Sequence, residues 1–398
     1  MKPKLKILYD FQDMLGGAPR SQLAHMLAMK AEGHEVIATI GRDIQELRKK
    51  APSVKIIEIR NFNSNYKNPL SVIWVYLNWI SLLFKEKPDI IHTNRYSQSL
   101  FLSVLTDFFG FCHVFAQAGG VASESFVEKM VDKHCIVYSE ENKKDFERFG
   151  FNESNISVIP NRIPSLEIHE IENEKNRRSL NIAVIGNMKV FNIDGHIYFL
   201  ELLRDIEYVV GEVNVYIAGK AMHHNKDYIK KIKDLIKQIN KPSKGINVEM
   251  VGWVDDINKF ISKMDICIGK GRSVIQPAMA KKVCYVLSES GILTRITCDT
   301  FSNLYETNFS GRGKQEDYNV EFIDRISSDN IKLMDLRLDA EEVNSKIIDH
   351  YHESKAYKKL MSVYNIAVGG KRKRPLFAIK RFFKIYKHAV LRLVKRYR

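Results

Sequence analysis

Two facing, doubly wound α/β domains of Rossmann type, followed by a basic amphipathic helix, are the fold class that the sequence predicts. Three observations lead there. The chain has 398 residues, more than one hydrophobic core usually organises. Short apolar runs alternate with helix-length amphipathic segments in two successive series, the pattern of parallel sheets covered by helices. The last 28 residues hold twelve Lys or Arg and no acid.

The strands of the first series are expected at 5–10, 35–40, 54–57, 89–93, 113–117, 135–138 and 157–159. After Asn161-Arg162-Ile163-Pro164-Ser165 comes a stretch rich in Glu, Asn, Lys and Arg with no apolar period, which reads as a linker. A second series follows at 180–186, 213–218, 248–251, 266–268 and 283–287. The expected division is a first domain at 1–165, a linker at 166–180, a second domain at 181–365 and a tail at 366–398. In doubly wound folds ligands bind beyond the carboxyl ends of the strands, so the expected site is the cleft between the domains.

Composition narrows the function class. Hydrophobic residues make up 45% and aromatics 10%, which excludes a chain too polar to fold. The five cysteines show no CxxC and no spacing with histidine that fits zinc, so they read as reduced and mostly buried. No Asp-x-Asp or His-Glu-x-x-His occurs at a strand end, and Asp255-Asp256 reads as a helix N-cap. The first residues run straight into a strand without a long apolar leader, so a cytoplasmic location is expected. The most membrane-like segment, 69–84, is shorter than a span and is interrupted by Asn78; a core helix is the preferred reading and an interfacial helix the alternative. The net charge is +15, but the tail supplies twelve of it, so the body is nearly neutral.

Four strand-end segments carry candidate chemistry. Gly16-Gly17 follows the first strand, where a chain without side chains turns sharply and approaches a ligand; Pro19 suits the first turn of the next helix. Gly119-Gly120 precedes Ser123-Glu124-Ser125 at a helix entrance, and a capped turn explains it as well as ligand contact does. His92 ends a strand, a place where a lone histidine is more often structural. Asp265-Ile266-Cys267-Ile268-Gly269-Lys270-Gly271-Arg272-Ser273-Val274-Ile275-Gln276-Pro277 reads as strand, loop and helix. Its glycines let backbone approach a diphosphate, Lys270 and Arg272 supply cationic donors, and a helix starting near Ser273 adds partial positive charge. A solvated basic turn is the bland alternative.

These segments, with Gly33-His34-Glu35-Val36, Lys87-Pro88-Asp89-Ile90-Ile91-His92 and Val158-Ile159-Pro160-Asn161, resemble the group 1, or family 4, GT-B glycosyltransferases over roughly residues 4–365. The resemblance implies transfer of a sugar from a nucleotide donor with retention of configuration and without metal. It implies donor contacts from Gly186, Asn187, Lys189, Gly219, Gly269, Gly271 and Ser273, with Lys270 and Arg272 stabilising the departing diphosphate, the catalytic charge role. Gly16, Gly17, His92, Gly119 and Gly120 fall on the acceptor side. No cofactor is expected beyond the donor substrate.

The departures are specific. Gln276 stands where the family places a glutamate on the donor ribose, and an amide cannot act as a general base. The earlier glutamate of the Glu-x7-Glu pattern is missing, and Gly186-Asn187 with Asp194-Gly195 replaces a Gly-Arg and Lys-Gly element; Lys189 is the candidate substitute for one of the two lost cations. Asn308-Phe309-Ser310-Gly311-Arg312 resembles an element found after the donor site in some members, where Arg312 either binds phosphate or fastens a loop.

In the tail, Ile379, Phe382, Phe383, Tyr386, Val390, Leu393 and Val394 recur at helical spacing among Lys380, Arg381, Lys384, Lys387, Arg392 and Lys395. Such a helix suits an anionic membrane surface; a packed C-terminal helix is the alternative, and no nucleic-acid module is recognisable. The expected function is transfer of a sugar to a glycan or lipid-linked acceptor in cell-surface polysaccharide or lipopolysaccharide assembly at the inner face of the plasma membrane. The alternative is a catalytically degenerate binding or scaffold subunit of the same fold.

Overall fold

The computed structural model divides the chain into two compact units, Met1–Arg162 with Glu353–Arg398, and Ile163–His352. It describes residues 4–14, 16–60, 69–117, 119–120, 123–163, 179–188, 190–220, 226–327, 333–370 and 373–382.

The first unit is built on strands β1 (Lys6–Phe11), β2 (Glu35–Ile40), β3 (Lys55–Glu58), β4 (Ile90–Thr93), β5 (Cys112–Gln117), β6 (His134–Val137) and β7 (Ile156–Val158). They lie parallel in the order β3-β2-β1-β4-β5-β6-β7. β1 and β5 are buried along nearly their whole length instead of alternating, as strands of a parallel sheet covered on both faces are. The second unit places β8 (Ser179–Ile185), β9 (Glu212–Ala218), β10 (Ile246–Gly252), β11 (Ile266–Gly269), β12 (Val283–Leu287) and β13 (Leu293–Arg295) in the order β10-β9-β8-β11-β12-β13. Every apolar run read from the sequence is a strand to within two residues at either end. The antiparallel edge strand β13 is the addition.

Several motif residues fasten the fold. The His34 ring accepts the Leu5 amide at 3.1 Å, the Asp89 carboxylate accepts the Lys6 amide at 2.8 Å, and Asn161 accepts the Ser21 hydroxyl at 3.0 Å. They tie the start of β1 and the helix Gly17–Ala31 to distant parts of the first unit.

The expected boundary at 365 is corrected. The chain re-enters the first unit at Glu353, and the helix Ala356–Gly369 buries Leu360, Val363 and Tyr364 in that unit's core. An amphipathic pattern states that a helix has an apolar face, not which sheet receives it. The expected linker at 166–180, apart from Ser179 and Leu180 in β8, lies outside the described residues.

The beginning of the tail is packed. Residues 375–382 are helical, Phe382 approaches Tyr76 at a ring distance of 5.9 Å, and Arg381 is 8% exposed, bonded to Asp107 and Asp132. Lys133 joins the same Asp107 carboxylate, and Arg374 reaches Asp132 at 3.3 Å. Arg381 is therefore a structural cation within the first unit and not part of a lipid-facing set. Residues 383–398 lie outside the described residues.

Candidate functional site: two strand-end rims

Each sheet reverses its winding once, between β1 and β4 and between β8 and β11. The crevice beyond the strand ends at such a point is where doubly wound folds bind ligands. Candidate residues gather at both.

In the second unit Gly186, Gly219 and Gly269 follow β8, β9 and the last step of β11, so their backbones meet at one edge. A Cβ on Gly219 would lie 1.9 Å from the Gly186 carbonyl oxygen, and one on Gly269 would lie 2.5 Å from that of Ile185. Side chains cannot occupy this rim. The Asn187 side chain accepts the Lys220 amide at 2.9 Å and so braces the same edge. Lys189 lies outside the described residues.

The loop after β11 turns at Gly271, whose φ of +53° is a left-handed conformation that glycine adopts freely. Gly271 caps the helix Arg272–Met279, and its amide donates to the Phe309 carbonyl at 2.7 Å. The amides of Ser273, Val274 and Ile275 also donate to protein carbonyls within the turn. The expected contribution of the helix terminus is corrected: these amides are engaged within the protein.

Lys270 is 19% exposed at its side chain, and its ammonium lies 3.8 Å from Glu289. Burial pushes its pKa down, the Glu289 carboxylate pulls it back up, and the nearby Arg312 guanidinium pushes it down again. Lys270 and Arg312 are thus close enough to sense each other's charge. The Asn-Phe-Ser-Gly-Arg element is wrapped against the loop: Asn308 and Phe309 both adopt left-handed backbone, with φ of 53° and 56°, and the Phe309 carbonyl is the one that Gly271 bonds. Such conformations cost about 1–3 kcal/mol apiece and persist where surroundings impose them.

Gln276 is placed differently from expectation. It is 6% exposed and its amide donates to Asn258 at 2.7 Å, so it holds the helix Arg272–Met279 to the helix Ile257–Ser262 instead of presenting its amide at the rim. Asp256 caps that second helix through the Lys259 amide at 3.0 Å, as its position in the sequence indicates. Glu289 was not singled out from the sequence. It follows β12 in Ser288-Glu289-Ser290-Gly291, a run that reads as a turn.

In the first unit a cavity of about 640 Å³ opens beyond β1, β4 and β5, a size common among small-ligand sites. Its lining includes Asp13, Pro19, Arg95, Tyr96, Gln117 and Gly119. Gly119 lines the cavity, and the Gly16-Gly17 loop leads into it through Ala18 and Pro19. The carbonyls of Gly119 and Gly120 accept bonds from Gln117 and Asn142 at 3.2 and 2.7 Å. Asp13, Arg95 and Gln117 escaped sequence reading because each is an ordinary polar residue at or just past a strand end, with no motif around it.

His92 is a correction. The ring is fully buried, Nδ1 lies 2.7 Å from the Tyr364 hydroxyl, and the ring stacks on Tyr9 at 5.0 Å. It packs under the helix Ala356–Gly369 and is not in the cavity lining; its neighbours Asn94 and Arg95 are.

Burial around His92 has a pH consequence. Burial pushes His92 down to about 3 and lowers His25 and His113 well below the usual histidine range. Burial raises Asp10, near the end of β1, to about 7, with the Thr39 hydroxyl opposing; among the described residues the Asp10 Oδ2 has no hydrogen-bond partner. Below pH ~6.5 the unfolded chain takes up protons on these histidines that the folded chain refuses, so they make stability rise with pH up to that value. Asp10 acts oppositely: between pH ~3.9 and 7 the folded chain keeps a proton that the unfolded chain gives up, so its contribution is lost as pH rises. Asp10→Asn should stabilise the first unit at pH 8 by about 1–2 kcal/mol, the relieved charge burial less the cost of an imperfectly bonded amide. Denaturant unfolding at pH 5, 6.5 and 8 checks this; a stability loss at pH 8 equal to that at pH 5 would contradict it.

Among the described residues no group of three or more His, Cys, Asp or Glu could hold a metal ion, and no helix is long and apolar enough to cross a membrane. All five cysteines are free, and four are buried.

Two doubly wound units, each with a candidate rim at its switch point, make this a GT-B-fold protein. A family model described as Glycosyltransferase Family 4 matches residues 15–164. Solved structures match most of the chain. A glycosyltransferase from Rickettsia africae is 17% identical with a TM-score of 0.67, covering 92% of this chain and 99% of its own. Anabaena HepE in complex with UDP and glucose is 13% identical with a TM-score of 0.65, covering 91% and 100%. The apo lipopolysaccharide outer core galactosyltransferase WaaB is 13% identical with a TM-score of 0.60, covering 92% and 100%. No curated protein sequence matches the chain. The family-model match covers residues 15–164, and the solved structures share the two-unit fold of the whole chain.

Proposed function

We propose that this protein transfers a hexosyl group from a nucleoside diphosphate sugar to a glycan or lipid-linked acceptor in cell-surface polysaccharide or lipopolysaccharide assembly, retaining the anomeric configuration and using no metal. The observation that carries the reading is the convergence of Lys270, Arg312 and the Gly269–Arg272 loop on the glycine-lined edge of the second sheet. As the bond between the sugar and the diphosphate breaks, negative charge grows on the leaving phosphate. Lys270 and Arg272 stabilise it, assisted by Arg312. An arriving diphosphate replaces Glu289 as the partner of Lys270 and opposes the lowering of its pKa by burial.

The acceptor occupies the cavity lined by Asp13, Arg95, Tyr96 and Gln117. HepE was solved with UDP and glucose and WaaB is a galactosyltransferase, which supports a nucleotide-sugar donor here. The basic tail, 371–398, holds the enzyme on an anionic membrane surface at the cytoplasmic face, each basic residue near that surface contributing about 1 kcal/mol.

A panel of nucleotide sugars tested by thermal stabilisation of the intact chain examines the donor reading. A true donor at 100 times its Kd adds about 2.7 kcal/mol to folding stability and raises the melting temperature. Failure of every nucleoside diphosphate sugar to do so would contradict it. The inward-turned Gln276 and the missing glutamates favour a second reading, a scaffold that binds a donor without turning it over.

A further inference from the structure

The helix Pro69–Glu86 has two apolar faces. One is core: Val75, Trp79 and Leu83 are fully buried. The other is open: Ile73, Trp74, Leu77 and Phe84 are each 50–58% exposed and, at spacings of three, four and seven residues, share one side of the helix. Exposed apolar residues scattered singly need no explanation, but a continuous stripe does.

The stripe is not alone. Helix 375–382 belongs to the same unit and presents Leu376, Phe377 and Ile379, themselves 73%, 57% and 45% exposed. Between it and the helices Pro69–Glu86 and Tyr96–Phe109 lies a cavity of about 290 Å³ lined only by apolar side chains, among them Tyr76, Ile80, Phe108, Ile379 and Phe382. The Arg381 bonds to Asp107 and Asp132 fix the tail helix in this place.

We propose that this composite face docks on an anionic lipid bilayer, with the Trp74–Leu77 stripe and Leu376–Phe377 entering the acyl boundary. Charge chooses the occupant. From Ile59 to Lys85 the chain has no acid, and neither do residues 371–398. Across the three helices of the face, the acids Glu86 and Asp107 are 4% and 3% exposed and ion-paired. A protein interface carries a polar rim, whereas an apolar face whose own helices carry cations and no exposed acid suits anionic lipid. Arg60 lies over the exposed Trp74 ring at 5.9 Å, an aromatic and basic pair suited to the headgroup level. The proposal rests on the membrane reading above and adds to it: the tail supplies attraction, and the helix Pro69–Glu86 supplies insertion.

The two are separable. The full chain carrying Trp253→Phe retains Trp74 and the buried Trp79 as its tryptophans. On vesicles of phosphatidylglycerol and phosphatidylcholine its emission should shift to the blue, and brominated acyl chains should quench it; adding Trp74→Phe should abolish the quenching. Trp74→Ser with Leu77→Gln, both exposed positions, should leave the melting temperature unchanged and weaken vesicle binding at least tenfold in 0.5 M salt, where attraction to the tail is screened. Salt-sensitive binding without quenching would overturn the insertion proposal and leave tail recruitment standing. Absence of binding at low salt by the intact chain would overturn both.

Discussion

Replacing Lys270 and Arg272 together by alanine should weaken nucleotide-sugar binding by about 100-fold or more. Hydrogen bonds to charged groups contribute about 1.5–3 kcal/mol each, and the loop's amides at Gly271, Ser273, Val274 and Ile275 donate to protein carbonyls, so they do not compensate. The two single variants should each lose part of this. Neither should unfold the second unit, because the turn is held by Gly271, Phe309 and the backbone of the helix Arg272–Met279. Glu289→Gln provides the converse: removing the carboxylate 3.8 Å from Lys270 leaves that cation to the ligand and should tighten binding. Isothermal titration with the donor found in the nucleotide-sugar panel measures all four. Unchanged affinity in the double variant would remove the loop from the donor site.

The second large effect is structural. Asp107 is 3% exposed and bonded to Lys133 and Arg381, both of which are nearly buried. Burial lowers the Lys133 pKa and the Asp107 charge works against that lowering. Asp107→Ala leaves two buried cations facing each other with only Asp132 nearby, a class of change that costs about 3–5 kcal/mol. Arg381→Met should cost less, since Asp107 keeps Lys133 and Asp132 keeps Arg374. Denaturant unfolding gives the ranking, and hydrogen exchange at residues 373–382 should rise more in the aspartate variant. Equal costs would show that the cluster is not the clasp of the tail helix.

How far the sequence reaches can be judged residue by residue. Strands buried on both faces leave continuous apolar runs, so both parallel sheets were legible, and Gly269–Arg272 stood out because cations rarely interrupt a strand-to-helix turn without reason. The three-residue strand β13 is too short to carry a period. The return of the helix Ala356–Gly369 to the first unit was invisible because periodicity names a buried face without naming its partner. Gln276 was read by position along the helix, whereas its contact with Asn258 depends on how two helices pack. Arg381 looked like one more tail cation until Asp107 and Asp132, far away in sequence, supplied its pocket.

The same limit applies to the acceptor cavity. Asp13, Arg95 and Gln117 come from three strand ends about 80 and 20 residues apart, and only the strand order β1-β4-β5 brings them together. Gly119 was legible as a turn with a possible ligand role; the residues facing it were not.

The central claim is that this rim supports turnover and not donor binding alone. Release of nucleoside diphosphate by the intact chain, with its matching nucleotide sugar and an acceptor-bearing membrane fraction rich in anionic lipid, tests it most directly. The account predicts acceptor-dependent release that disappears in the Lys270→Ala/Arg272→Ala variant. Saturable donor binding with no release above that variant would contradict it and leave the scaffold reading in its place.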